Sequence, residues 1–136
     1  MTILIEVEDG AWNSLPDLET MVRRAAREVL KDRGDRGVTL VFTDDATLAE
    51  LNGRFRGRPA STNVLSFPYT DDLVVPPGET RPLGDVILAF GTVEREAREQ
   101  GKTLAAHASH LVIHGLLHLL GHDHQDGTQA ARMEAL

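Results

Sequence analysis

The residues with the most distinctive chemistry lie near the end of the chain, in His114-Gly115-Leu116-Leu117-His118-Leu119-Leu120-Gly121-His122-Asp123-His124. His114 and His118 are four apart, so on a helix they stand one turn from each other on one face. That spacing lets two imidazoles hold one metal ion. Gly121 follows three residues later and can take the left-handed backbone that ends a helix and turns the chain back. The reversal would carry His124 to the same ion. Three neutral nitrogens with one open position is the arrangement of a catalytic zinc, because a structural site closes with a fourth protein ligand. Nickel and copper also bind such nitrogen sites.

The spacing His-x3-His-x2-Gly-x2-His is the ligand frame of the metzincins. Zinc proteases of that frame place Glu directly after the first histidine as general base. Here that residue is Gly115. The metal frame is present and the peptidase base is missing.

These ligands need a helix. Thr103 is the expected cap of one that runs to Leu120 and is apolar on almost every side, from Leu111, Val112 and Ile113 to Leu119 and Leu120. A helix apolar all round is a buried one. His107, His110, His114 and His118 advance by three, four and four residues, which gathers them on a stripe about 80° wide. His107 and His110 are read as packing groups, or as partners for the second nitrogen of a ligand. Asp123 is read in the same way or as a turn residue.

The remaining elements follow from pattern. Thr2–Val7 and Val38–Phe42 read as strands. Between them Ser14 and Pro16 mark the start of a helix to about Lys31, with Leu18, Met21, Val22, Ala25, Val29 and Leu30 on its buried stripe. Its outer face carries Arg23, Arg24, Arg27 and Lys31 among acids, the pattern of a solvated face, with an RNA-facing patch as the functional alternative. Thr43 or Asp44 caps a helix to about Asn52. Gly53–Ala60 then reads as a loop in which Arg54, Arg56 and Arg58 alternate beside Phe55. Guanidinium forks match phosphate oxygens in pairs, so this loop is a candidate phosphate clamp. Thr62–Phe67 and Gly84–Phe90 read as strands, separated by a proline- and acid-rich loop over Tyr69–Pro82. A charged helix over Thr92–Gln100 ends at Gly101, and Thr128 caps a last short helix to Leu136.

Composition sets limits. The 136 residues are expected to form a single domain over 1–136 with one core. There is no cysteine, so thiolate chemistry is excluded and any metal must rest on His, Asp or Glu. Three acids come early and no basic stretch precedes an apolar run, unlike a signal peptide. No uninterrupted apolar run of about 18 residues is present, so a membrane partner is not expected. The net charge of −7 argues against a broad nucleic-acid-binding surface, leaving room for a local basic groove.

At this point the sequence resembles the YbeY family of single-strand-specific endoribonucleases. The family motif is similar to His-Gly-x-Leu-His-Leu-x-Gly-Tyr-Asp-His and is matched from His114 to His124, with His122 in place of the Tyr. A second segment resembles Leu51-Asn52-x-x-Phe55-Arg56-Gly57 followed by Thr62-Asn63-Val64-Leu65-Ser66-Phe67-Pro68, and a third is Leu83-Gly84-Asp85. The resemblance implies an α+β fold: one compact zincin-like domain, with a mixed sheet of about four strands packed against about five helices. It implies one zinc on His114, His118 and His124, with Arg56 as the catalytic arginine. It implies action on single-stranded RNA in the cytoplasm, in maturation of the 3′ end of the small-subunit rRNA and in ribosome quality control. DNA is not expected as a substrate. The acidic charge, with the family analogy, points to docking on a ribosomal protein of the small subunit or on an assembly GTPase.

On that reading the zinc lowers the pKa of its water toward roughly 7, and Arg56 offsets charge on the phosphate. Gly115 is expected to leave room for a bulky phosphate. Asp85, Asp123 and His110 are the candidates for handling protons. Two other readings compete. A zinc peptidase would share the ligand frame, with Met133 beneath the metal, and would cleave denatured casein. A non-catalytic ribosome-associated zinc module would close the metal shell with a fourth ligand such as Asp123.

Overall fold

The computed structural model describes residues 2–31, 36–57, 62–69 and 82–123. Four strands form one mixed sheet: β1 (Ile3–Val7), β2 (Val38–Thr43), β3 (Val64–Pro68) and β4 (Gly84–Ala89). Their order is β1-β2-β4-β3, with β1, β2 and β4 parallel and β3 antiparallel to β4 at one edge. The described helices are α1 (Leu18–Leu30), α2 (Asp45–Arg56), α3 (Phe90–Glu99) and α4 (Leu104–Asp123), with a short 3₁₀ turn over Gly10–Ser14. The α+β class and the strand count agree with expectation. The expected last helix over 128–136 lies outside the described residues.

The sheet buries both faces. Leu40, Phe42, Val86 and Leu88 point toward α1 and α4, which supply Val22, Ala26, Leu30, Val112, Leu116 and Leu119. Leu65, Ile87 and Ala89 point the other way, toward Leu48 of α2. Alternate residues of a strand face opposite sides, so Ser66 shares the α4 side with Val86 while Phe67 and Asp85 share the α2 side. Trp12 seals one end, donating from Nε1 to the Thr43 carbonyl at 2.9 Å and meeting Phe42 and Phe90 edge-on.

Several boundaries differ from the sequence reading. Ser14 lies in the 3₁₀ turn and α1 begins after Asp17. The cap of α2 is Asp44, whose side chain accepts from the Thr47 amide at 2.7 Å. The helix does not stop at Asn52. It runs through Gly53 to Arg56 and ends where Gly57 adopts φ 70, a left-handed conformation that suits glycine. Gly53 costs a helix only about 1 kcal/mol, too little to break one that packs. Phe90 opens α3 rather than closing β4. Asp45 caps α3 from a distance, accepting from the Thr92 amide at 2.9 Å.

Two expectations for α4 are corrected. Gly121 does not reverse the chain: the helix continues to Asp123, and among described glycines only Gly57, Gly84 and Gly101 have positive φ. Glycine permits a left-handed turn without compelling one. Nor is α4 buried all round. His110, His114, Leu117 and His118 are exposed on one side. By length and hydropathy Leu104–Gly121 could cross a membrane. Its inner side is instead committed to the core through Ala108, Leu111, Val112, Leu116, Leu119 and Leu120.

The bonds from Thr47 hold the Asp44 carboxyl below its ordinary value. The cap therefore contributes stability above the ordinary carboxylate range and loses it as pH falls through the depressed value. Asp44→Ala should lower unfolding free energy by about 1 kcal/mol at neutral pH. The deficit should shrink in acid, as read by urea denaturation at both pH values.

Candidate functional site

The site forms where α4 crosses edge strand β3. Gly115 is the point of contact. A Cβ built there would lie 2.6 Å from Val86 Cγ1 and 3.0 Å from Ser66 Oγ. Ser66 Oγ donates to the Gly115 carbonyl at 3.1 Å, pinning the helix to the strand. With position 115 against the sheet, His114 and His118 project outward beyond the edge of β3.

Their rings meet there. His114 Nε2 and His118 Nε2 lie 3.1 Å apart, with ring centroids at 4.6 Å. Two imidazole nitrogens on one tetrahedral zinc at about 2.0–2.1 Å sit about 3.3 Å apart. The pair therefore fits a shared ion. His124 lies outside the described residues, as does Met133. No described group of three His, Asp or Glu side chains has metal-binding geometry.

Arg56 approaches from the opposite sheet face. It occupies the last turn of α2, just before the Gly57 turn. Its Nη2 donates to the Ser66 carbonyl at 3.0 Å, and its guanidinium lies 5.7 Å from the centre of the Phe67 ring. Phe67 in turn packs edge-on against Phe55. Arg56 thus reaches over β3 into a cleft of about 220 Å³ that it lines with Asn63, Val64, Leu65, Ser66, His114 and His118. The three-arginine clamp is not what forms. Arg54 pairs with Glu50 at 3.0 Å along α2, and Arg58 lies outside the described residues. Of the two that are described, Arg56 is the one placed in the cleft.

The other candidates divide. Asp85 faces the α2 side of the sheet, away from the histidines, and accepts from the Tyr69 hydroxyl at 2.9 Å. Burial and that bond to Asp85 push the Tyr69 phenol up, so it stays the donor. His110 is exposed and stacks at 6.4 Å on His107, away from the cleft lining. The Asp123 side chain lies outside the described residues. Gly115 gives no room to a phosphate: it faces Val86 rather than the cleft, because the close approach of helix and strand uses the space.

Three polar residues at or behind the cleft had no role in the sequence reading. Asn63 and Ser66 are polar residues just before and within an otherwise apolar strand, which is the signal that could have marked them. Glu96 had none, since its partners lie 33 and 11 residues away. Its Oε1 accepts from Asn63 Nδ2 at 3.0 Å and from His107 Nε2 at 2.9 Å. Burial raises the Glu96 carboxyl, and the bonds from His107 and Asn63 outweigh it, so the group lies below the ordinary carboxylate value.

Comparison with known proteins decides the family. The model of the family described as Endoribonuclease YbeY matches residues 6–136. The chain belongs to the YbeY family. It is 45% identical to the Endoribonuclease YbeY of Chelativorans sp., over 99% of this chain and 84% of that one. It is 50% identical to the Endoribonuclease YbeY of Paramagnetospirillum magneticum, over 98% of this chain and 86% of that one. A Thermotoga maritima protein solved in solution shares its fold, with a TM-score of 0.61 and 28% identity over 98% of this chain and 85% of that one. Arg56 with Asn63–Ser66 on one side, and His114 with His118 on the other, are thus the two walls of one cleft.

Gly115→Ala should lower unfolding free energy by about 1–3 kcal/mol through overpacking. Val86→Ala in the same chain should cost less than the sum of the single changes, since the two sites share one space. Denaturant midpoints of the three variants check this.

Proposed function

We propose that this chain is a zinc-dependent, single-strand-specific endoribonuclease that processes rRNA in the cytoplasm, at the 3′ end of the small-subunit RNA and in ribosome quality control. The observation that supports this most directly is the shared cleft. A guanidinium and two converging imidazole nitrogens face one space of a size for a phosphodiester, in a chain of the YbeY family.

His114 and His118 would hold the ion, with His124 as third ligand. When bound, zinc supplies Lewis-acid chemistry at neutral pH. The chain's own residues do the rest. Arg56 binds the phosphate with paired donors and offsets charge on its oxygens as they become more negative. Its aromatic support on Phe67 and its bond to the Ser66 carbonyl fix the fork before substrate arrives. The exposed Phe55 beside it offers a ring face to an unstacked base, as single-strand readers do. Double-stranded RNA presents no such base.

A peptidase reading loses support from the same geometry. Position 115, where the peptidase base belongs, faces the sheet, and even a Cβ there would press on Val86. A ribosomal protein or an assembly GTPase remains the proposed docking partner, on charge complementarity and family membership.

Arg56→Ala should lower kcat on single-stranded RNA by about 10²–10³-fold. Zinc content, by metal analysis, should stay at the wild-type level. His114→Ala should lose metal and activity together. A fully metallated, inactive His114→Ala chain would take the ligand role from that residue.

A further inference from the structure

One polar side chain in the cleft is accounted for neither by the metal frame nor by Arg56. Asn63 lines the cleft with Arg56, Ser66, His114 and His118. Its backbone is fixed, because its carbonyl accepts from the Ala89 amide at 3.1 Å. Its amide is also oriented. An ionised carboxylate can only accept hydrogen bonds, and the bonds on Glu96 favour its ionised form. Glu96 Oε1 therefore takes the NH₂ end of Asn63, at 3.0 Å. The carbonyl end, Oδ1, is left as an acceptor with no partner among the described residues.

Behind this pair stands His107, on the helix that carries the cleft histidines. The ring is 4% exposed, and its Nδ1 has no partner among the described residues. A buried imidazole with an idle nitrogen is costly. The other nitrogen, Nε2, gives the residue a purpose: it donates to Glu96 Oε1 at 2.9 Å and holds the carboxylate in place. The chain thus commits a buried histidine and a carboxylate to the orientation of one cleft amide.

An acceptor here selects its ligand. Phosphate oxygens only accept, so Oδ1 repels them and cannot assist Arg56. The donor nearest a phosphodiester in RNA is the ribose 2′-hydroxyl, the group that distinguishes RNA from DNA.

We propose that Asn63 reads the sugar: its Oδ1 accepts a hydrogen bond from a ribose 2′-hydroxyl beside the bound phosphate, with Glu96 and His107 as positioning residues. This rests on the endoribonuclease reading of the same cleft.

The test uses the metal-loaded full chain and a single-stranded RNA oligonucleotide, alongside versions carrying one 2′-deoxynucleotide at successive positions. For the wild-type chain, one position flanking the cleaved bond should cost about tenfold in kcat/KM. Asn63→Ala should lose a similar factor on the all-RNA oligonucleotide and show no further loss at that position. Asn63→Asp sets two carboxylates against each other and should lose the discrimination. Adding Glu96→Gln puts an amide donor in place of the second carboxylate, with His107 moving its proton to Nδ1 so that Nε2 accepts, and both the rate and the sugar penalty should return.

A merely structural role for Asn63 would slow every substrate alike and leave the penalty intact, which overturns the proposal. So does a wild-type chain indifferent to every single deoxy substitution. So does a sole sensitive position that stops all variants equally, since that hydroxyl would be the attacking group. A wild-type chain that cleaves RNA but shows any of these loses only the sugar reading. One that cleaves no RNA loses the endoribonuclease reading as well.

Discussion

The close approach of α4 to the sheet at Gly115 is the constraint on which the site depends. A hydrogen at that position lets the helix backbone rest on Val86 and accept a hydrogen bond from Ser66. The contact sets the rotation of α4 about its own axis. Leu116, Leu119 and Leu120 then turn into the core, and His114 and His118 turn out past the edge strand. A side chain at 115 would lift or rotate the helix, and the facing of the two imidazoles toward Arg56 across the cleft would go with it.

The second wall of the cleft is held by different means. Arg56 belongs to a helix on the far face of the sheet and reaches the histidines only because β3 is an edge strand. The left-handed Gly57 stops α2 at the point where the guanidinium can pass over Phe67 to the Ser66 carbonyl. Ser66 is therefore the hinge of the arrangement. Its hydroxyl serves α4 and its carbonyl serves Arg56. Behind the cleft, Glu96 ties β3's entry to α3 and α4 through Asn63 and His107. Every wall of the site is thus bonded to another element, which is how a cleft formed by separate helices keeps its geometry before substrate binds.

The legible part of the sequence was the local part. The pairing of His114 with His118 is a property of helical spacing, and the strands of β-branched residues stood where their pattern placed them. The errors came where local and tertiary preferences competed. Gly53 and Gly121 read as helix ends, yet packing carried both helices past them, and Gly57 and Gly101, with positive φ, are the glycines that follow the ends of α2 and α3. That moved Arg56 from a loop to a helix. Asp85 looked available to the site because which face a strand residue takes depends on pairing, and pairing with Phe67 puts it on the wrong one. The contacts among Asn63, Glu96 and His107, like that of Asp45 with Thr92, join residues distant in sequence and leave no periodic trace. The role given to Gly115 failed for the same reason: the missing glutamate was visible, but the neighbour that excludes a side chain was not.

The cleft has meaning only if its two walls act on the same bond through a metal held by the histidines. The direct measurement is zinc content of the full chain paired with cleavage of a single-stranded RNA before chelation, after chelation, and after zinc is returned. This account predicts about one zinc per chain, cleavage that stops when the metal is removed, and recovery on its return. Undiminished cleavage by a chain shown to be free of metal would contradict it.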